Sequence, residues 1–132
     1  MPTRFDMVGL FVSNLSEMVA FYRDVLDLEI DWDGNGPYAE FHHSGIRFSM
    51  YERKLLPELL GHNPSFTTGI NGTFELALDL PHFEDVDREF KRVVAAGALP
   101  VYDPRNEPWG MRSSMVTDPE GNLIEIGSWN KG

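Results

Sequence analysis

Cysteine is absent from the 132 residues. Its absence removes disulfides, thiolate zinc sites and a cysteine nucleophile together. It also suits a reducing compartment, so a cytoplasmic location is the expectation. No apolar run approaches the roughly 20 residues that a membrane-spanning helix needs, and no membrane contact is expected. The opening stretch MPTRFDMVGLFV lacks a basic segment followed by a long apolar core, so no secretory signal is read there. Positive charge is scarce: 11 Lys and Arg stand against 21 Asp and Glu, for a net charge of −10. Such a chain repels phosphates, which argues against a nucleic-acid partner. The same field favours solubility and attracts cations.

Chemistry-bearing motifs are thin as well. The only Gly-x-Gly, Gly34-Asn35-Gly36, does not lead from a strand into a helix, so it is no phosphate loop. His42 and His43 are adjacent, and on a strand they point to opposite faces. His62 and His82 fall in loops, and no His-rich spacing suits a zinc enzyme. No Ser-His-Asp triad can be assembled.

What is present is the balance of an ordinary globular domain, 42% hydrophobic and 24% charged, read as one domain over 1–132. Met7-Val8-Gly9-Leu10-Phe11-Val12 alternates as a strand, with Met7, Gly9 and Phe11 on one face. Ser13 or Asn14 caps a helix whose stripe is Leu15, Met18, Val19, Tyr22, Val25 and Leu26. Asp27 stands where a helix stop commonly has glycine. Residues 28–32 read as a second strand, and Asp33-Gly34-Asn35-Gly36-Pro37 as a turn. A hairpin over 38–43 and 46–51, turning at Ser44-Gly45, sets His42 opposite Arg47 and Glu40 opposite Ser49. Its other face gathers Ala39, Phe41, Ile46, Phe48 and Met50.

After a connector over 53–72, with a short helix around Leu55, Leu56, Leu59 and Leu60, the pattern restarts. A strand over 74–80 comes first, then a helix capped by Asp85 and closed by Gly97. A strand over 99–102 follows, and then a hairpin over 111–117 and 122–128 around Asp118-Pro119-Glu120-Gly121. The order β-α-β-β-β therefore occurs over 1–52 and again over 73–132. The expected class is α+β: two βαβββ modules forming a curved, half-open mixed sheet with helices on the convex face.

Three segments carry a resemblance. They are 7–15 continuing into Ala20-Phe21-Tyr22-Arg23-Asp24-Val25-Leu26; 74–80 with its helix closing at Ala95-Ala96-Gly97; and Pro108-Trp109-Gly110-Met111-Arg112 continuing into Asp118-Pro119-Glu120-Gly121-Asn122-Leu123-Ile124-Glu125-Ile126. In this order they resemble the vicinal oxygen chelate superfamily, which includes glyoxalase I, bleomycin-resistance proteins, fosfomycin-resistance proteins and extradiol dioxygenases. The resemblance covers nearly the whole chain. It speaks to fold more than to activity, because the family hosts many chemistries. It implies a four-ligand metal site in metal-dependent members, and the corresponding residues are Met7, Ser49, Glu75 and Glu125. Thioether is a soft ligand and serine a weak one, so the expectation is no resident metal, with a loosely held divalent ion as the alternative.

Glu75 and Glu125 are the candidate catalytic or cation-binding pair, unless Arg47 or Arg112 neutralises them. Trp109 is a candidate wall for a flat ligand, whereas Trp129 is expected to pack, and Arg105 and Glu107 are expected to be solvated. Met7, His42, Arg47, Ser49, Glu75, Trp109, Arg112 and Glu125 make up the candidate ligand-binding set. The expected function is small-molecule binding of the bleomycin-resistance type, with a cationic or aromatic ligand and a homodimeric assembly. The alternative is a glyoxalase-like lyase, isomerase or dioxygenase.

Overall fold

Alternation of apolar residues produces two separate sheets, each with one face against a helix. The computed structural model describes residues 1–132 and divides into two units, Met1–Phe66 and Thr67–Gly132.

In the first unit, β1 (Met7–Val12) pairs parallel with β3 (Arg47–Glu52), and β2 (Tyr38–Phe41) pairs antiparallel with β3 on its other side. Asn14 caps α1 (Leu15–Ala20), its side-chain oxygen accepting the Glu17 N–H at 3.1 Å. The helix then widens into a π-helical turn over Phe21–Val25 and ends at Asp27, which takes the left-handed φ of 64°. Leu10, Val12, Leu15, Met18, Val19, Tyr22, Phe41 and Met50 form its core. A 3-10 turn, Arg53–Leu55, leads into α2 (Leu56–Leu60), which has Pro57 in its first turn.

Two expectations fail in this unit. Residues 28–32 form no strand: only Ile30 makes a single bridge, to Phe41. The apolar alternation of Leu28, Ile30 and Trp32 is real, but β2 is four residues long and offers little ladder to join. The hairpin register is as read, Glu40 opposite Ser49, yet the strands stop at Phe41 and Arg47. The loop between them is therefore longer than two residues, and Ile46 is left exposed.

The second unit has the order β4-β7-β6-β5, with β4 (Asn71–Asp79) parallel to β7 (Asn122–Ser128). β6 (Arg112–Thr117) runs antiparallel to both β7 and β5 (Leu99–Asn106). Helix α3 (Phe83–Ala95) lays Val86 and Val93 onto Val116, Ile124 and Ile126. Its cap is His82 rather than Asp85. Asp85 sits three residues on and accepts the His82 N–H at 3.0 Å, closing the first turn from inside.

β4 begins three residues before the expected 74, and β5 continues four past the expected 102 despite Pro104. Proline is tolerated there because β5 is an edge strand. The architecture is α+β, with two mixed sheets of three and four strands and no closed barrel. No helix is long and apolar enough to cross a membrane.

Candidate functional site

Strand parity decides which side chains leave the helix-packed face. In the first unit β1 and β3 turn Met7, Gly9, Phe11, Arg47, Ser49 and Tyr51 to the open face, joined from β2 by Tyr38 and Glu40. Gly9 keeps room there, since a Cβ would lie 3.2 Å from Ser49 Oγ. The Ser49 hydroxyl donates to Met7 Sδ at 3.2 Å. The Tyr38 hydroxyl donates to Glu40 Oε1 at 2.6 Å, and that bond raises the phenol's pKa above its ordinary value. Arg47 donates to Asp6 at 2.6 Å and to Glu40 at 2.9 Å. Phe11 and Tyr51 meet edge to face, 6.3 Å apart. This face is aromatic, and its one cation is committed to two carboxylates of its own unit.

His42 does not sit beside Arg47. Beyond the end of β2 its backbone N–H donates to the Glu29 carbonyl, and its ring turns to Asp31 at 3.2 Å. A cleft of about 460 Å³ in this unit is lined by Ser16, Trp32, Asn35, Glu52, Lys54 and Leu55. Its charges, Lys54 and Glu52, pair with each other at 3.0 Å.

In the second unit the open face carries Glu75 and Ala77 of β4, Glu125 of β7, Ser113 and Met115 of β6, and Tyr102 and Arg105 of β5. Burial raises the Glu125 pKa above the ordinary carboxylate range, and the charges of Glu75 and Glu107 raise it further. No cation of the unit pairs with Glu75 or Glu125. Arg112 points to the other side, because β6 alternates and Ser113 and Met115 take the open face. It grips Asp87 of α3 through two bonds, 2.7 and 2.8 Å, and donates to Asn106 at 3.0 Å. Arg112 therefore does not neutralise Glu75 or Glu125, and the alternative in which it does is corrected. Trp109 stands 60% exposed in the tight loop closed by the Glu107 N–H on the Met111 carbonyl at 2.8 Å. Trp129, expected to pack, is also exposed.

Glu107, expected to be solvated with Arg105, is the residue that sequence reasoning misplaces; Arg105 is exposed and Glu107 is not. Its side chain is only 7% exposed. It accepts from Arg105 Nε at 2.7 Å and from the Ser113 hydroxyl at 2.8 Å, and these bonds hold its pKa below the ordinary value. Pro100 and Pro104 were the available signal: a strand with two prolines must break its ladder and redirect its side chains.

The Asp-Pro-Glu-Gly-Asn segment belongs to the scaffold. Buried Asp118 accepts the backbone N–H groups of Glu120 and Asn122 and the Asn122 amide, all within 3.0 Å. Of the four positions matching family metal ligands, Met7 and Ser49 are bonded to each other, while Glu75 and Glu125 offer hard carboxylates. No group of three or more His, Asp and Glu gathers in metal-holding geometry.

Comparison with known proteins agrees with this architecture. The uncharacterized YraH protein of Bacillus subtilis is 28% identical over 122 residues, covering 90% of this chain and 93% of its own. A glyoxalase/bleomycin resistance protein/dioxygenase from Nocardioides superposes with a TM-score of 0.83 at 21% identity, over 100% of this chain and 87% of that one. A lactoylglutathione lyase from Agrobacterium tumefaciens superposes at 0.72 and 20% identity, over 96% and 94% of the two chains. At these identities the structural likenesses speak for the fold alone. Residues 4–126 match the Glyoxalase/Bleomycin resistance protein/Dioxygenase superfamily, and the chain belongs to it.

Proposed function

We propose that this protein binds and sequesters a cationic small molecule with an aromatic portion, a reading of the bleomycin-resistance type that the superfamily's name includes. The observation that carries this reading is the Glu75–Glu125 pair, held on an open sheet face with no cation of its unit beside it. A half-buried carboxylate with a raised pKa is short of positive charge, and a cationic ligand supplies it. The net charge of −10 draws such a ligand in. Binding of this kind needs no resident transition metal.

Calorimetric titration with metal-free bleomycin tests the reading. Saturable binding that weakens about tenfold in Glu125→Gln is the expected result, the scale of one well-placed charge contact. A titration with no heat and no displaceable complex overturns it. The second reading is a glyoxalase-like lyase, isomerase or dioxygenase, favoured by one observation: a carboxyl with a raised pKa is suited to proton transfer. Turnover of the methylglyoxal–glutathione hemithioacetal that Glu125→Gln abolishes would install it. The proposal includes a homodimer, since each sheet has unpaired edge strands. A sedimentation mass near 15.0 kDa, that of a single chain, counts against that part.

A further inference from the structure

Arg105 is held as a ligand would be. Its guanidinium carbon lies 3.9 Å from the centre of the Tyr102 ring, a cation–π distance. Its Nε donates to Glu107 at 2.7 Å. Glu107 in turn accepts from Ser113, whose Oγ is 3.1 Å from the Tyr102 hydroxyl. Ring, carboxylate and hydroxyl thus form three sides of a closed figure, and the guanidinium fills the fourth. The walls and the filling differ in exposure. Ser113 is fully buried and the Glu107 side chain is 7% exposed, whereas that of Arg105 is 57% exposed. The walls are fixed, and the guanidinium has an open way out to water.

The backbone builds this arrangement deliberately. Tyr102 pairs with Met115 and Arg105 with Ser113, two residues apart on β6 but three apart on β5. The extra residue on β5 is a bulge between Tyr102 and Arg105, a stretch in which Pro104 has no N–H to give the ladder. Without it, side chains three apart would point to opposite faces. The bulge turns both to the open face, the one that carries Glu125.

We propose that Tyr102, Glu107 and Ser113 form a subsite for a planar cation, a guanidinium or amidinium group on a small molecule, and that Arg105 occupies it as an internal competitor. The subsite rests on the cationic-ligand reading above and names the chemical class of the group received. A planar cation meets the subsite as Arg105 does, by stacking on the ring and donating to the carboxylate that Ser113 holds in place. A side chain two residues from Glu107 competes at an effective concentration on the order of millimolar, so its removal should unmask the subsite.

The test uses benzamidine, with neutral benzamide as its near-isosteric control, on the full chain. In Arg105→Ala, benzamidine binding should tighten about tenfold over the unmutated protein, with benzamide unchanged. Adding Glu107→Gln to that variant should remove the gain. In the unmutated protein, benzamidine should shift the Arg105 Nε–H NMR signal as the guanidinium leaves Glu107, a readout that needs no variant to fold. If Arg105 is only an edge-strand ion pair, Arg105→Ala gains no preference for benzamidine over benzamide and the Nε–H signal stays in place. Either result overturns the subsite. A benzamidine gain in Arg105→Ala together with no bleomycin binding would retain the subsite and reject the parent reading. Bleomycin binding without the gain would do the reverse.

Discussion

Gly121 shows how one atom can decide a family motif. Its φ is 85°, and a Cβ there would overlap the backbone carbonyl of Gly69, which cannot swing aside as a side chain could. Its own carbonyl accepts the Asn71 N–H at 2.7 Å, so the turn is tied to the start of β4. Gly121→Ala should therefore cost about 3 kcal/mol or more, adding left-handed strain to a backbone clash, and urea melts would read the loss. The glycine was legible from its place after Asp-Pro-Glu, as was the left-handed stop at Asp27. The clash was not, because it comes from a chain segment about fifty residues away. Glu75 and Glu125 behave in the opposite sense. With no cation of the unit beside them, their charges oppose folding, so Glu75→Gln with Glu125→Gln should leave stability unchanged or raise it by on the order of 1 kcal/mol. A loss of about 3 kcal/mol in denaturant melts would instead make the pair a structural partner of buried cations.

At the scale of elements, the segment Phe21-Tyr22-Arg23-Asp24-Val25 carries a consequence that periodicity alone does not give. The apolar stripe predicts a continuous helix, and the winding changes to π where the motif begins. The wider turn brings two consecutive aromatic side chains, Phe21 and Tyr22, into the core together. Tyr22 then lies 5.3 Å from Phe48 and 6.0 Å from Phe41, joining helix to both strands of the hairpin. Tyr22→Ala should cost about 3–5 kcal/mol, the range for deleting a buried aromatic, with the loss seen in the denaturation midpoint. A cost below about 1 kcal/mol would mean the cluster repacks. β5 teaches a related lesson. Its first four residues were legible, and its continuation was not, because Pro104 normally ends a strand and only an edge position excuses it. The burial of Glu107, and with it much of the second unit's polar chemistry, lay beyond that proline. In the first unit, Leu28, Ile30 and Trp32 kept strand periodicity without a strand, because pairing depends on what length of partner is available.

Across the whole molecule the charges divide into two groups with opposite pH behaviour. Asp24, Asp87 and Glu107 have lowered pKa values, each first because of a hydrogen bond from arginine. A carboxyl depressed in the fold contributes stability above its unfolded pKa and loses it as pH falls through the folded value, which here means below about pH 4. Glu125 is the reverse. Raised by burial and by Glu75 and Glu107, it favours the fold below its unfolded pKa and loses that contribution as pH rises through its folded value. Its share is less than about 1 kcal/mol, because water screens a half-buried group. The net charge of −10 acts in the same direction, since self-repulsion grows as pH moves above the isoelectric point near 4.7. Stability should therefore peak in mild acid, at about pH 5, falling on the alkaline side through repulsion and on the acid side through lost arginine pairs. Added salt should raise the melting temperature at pH 7 by shortening the Debye length from about 30 Å at 10 mM to about 8 Å at 150 mM. In Glu125→Gln the fall on the alkaline side of the maximum should become shallower while the acid limb stays, because the arginine pairs are untouched. Melting curves from pH 3.5 to 8 at two ionic strengths decide it. A maximum near pH 7 that salt lowers would mean that attractive pairs outweigh the excess negative charge.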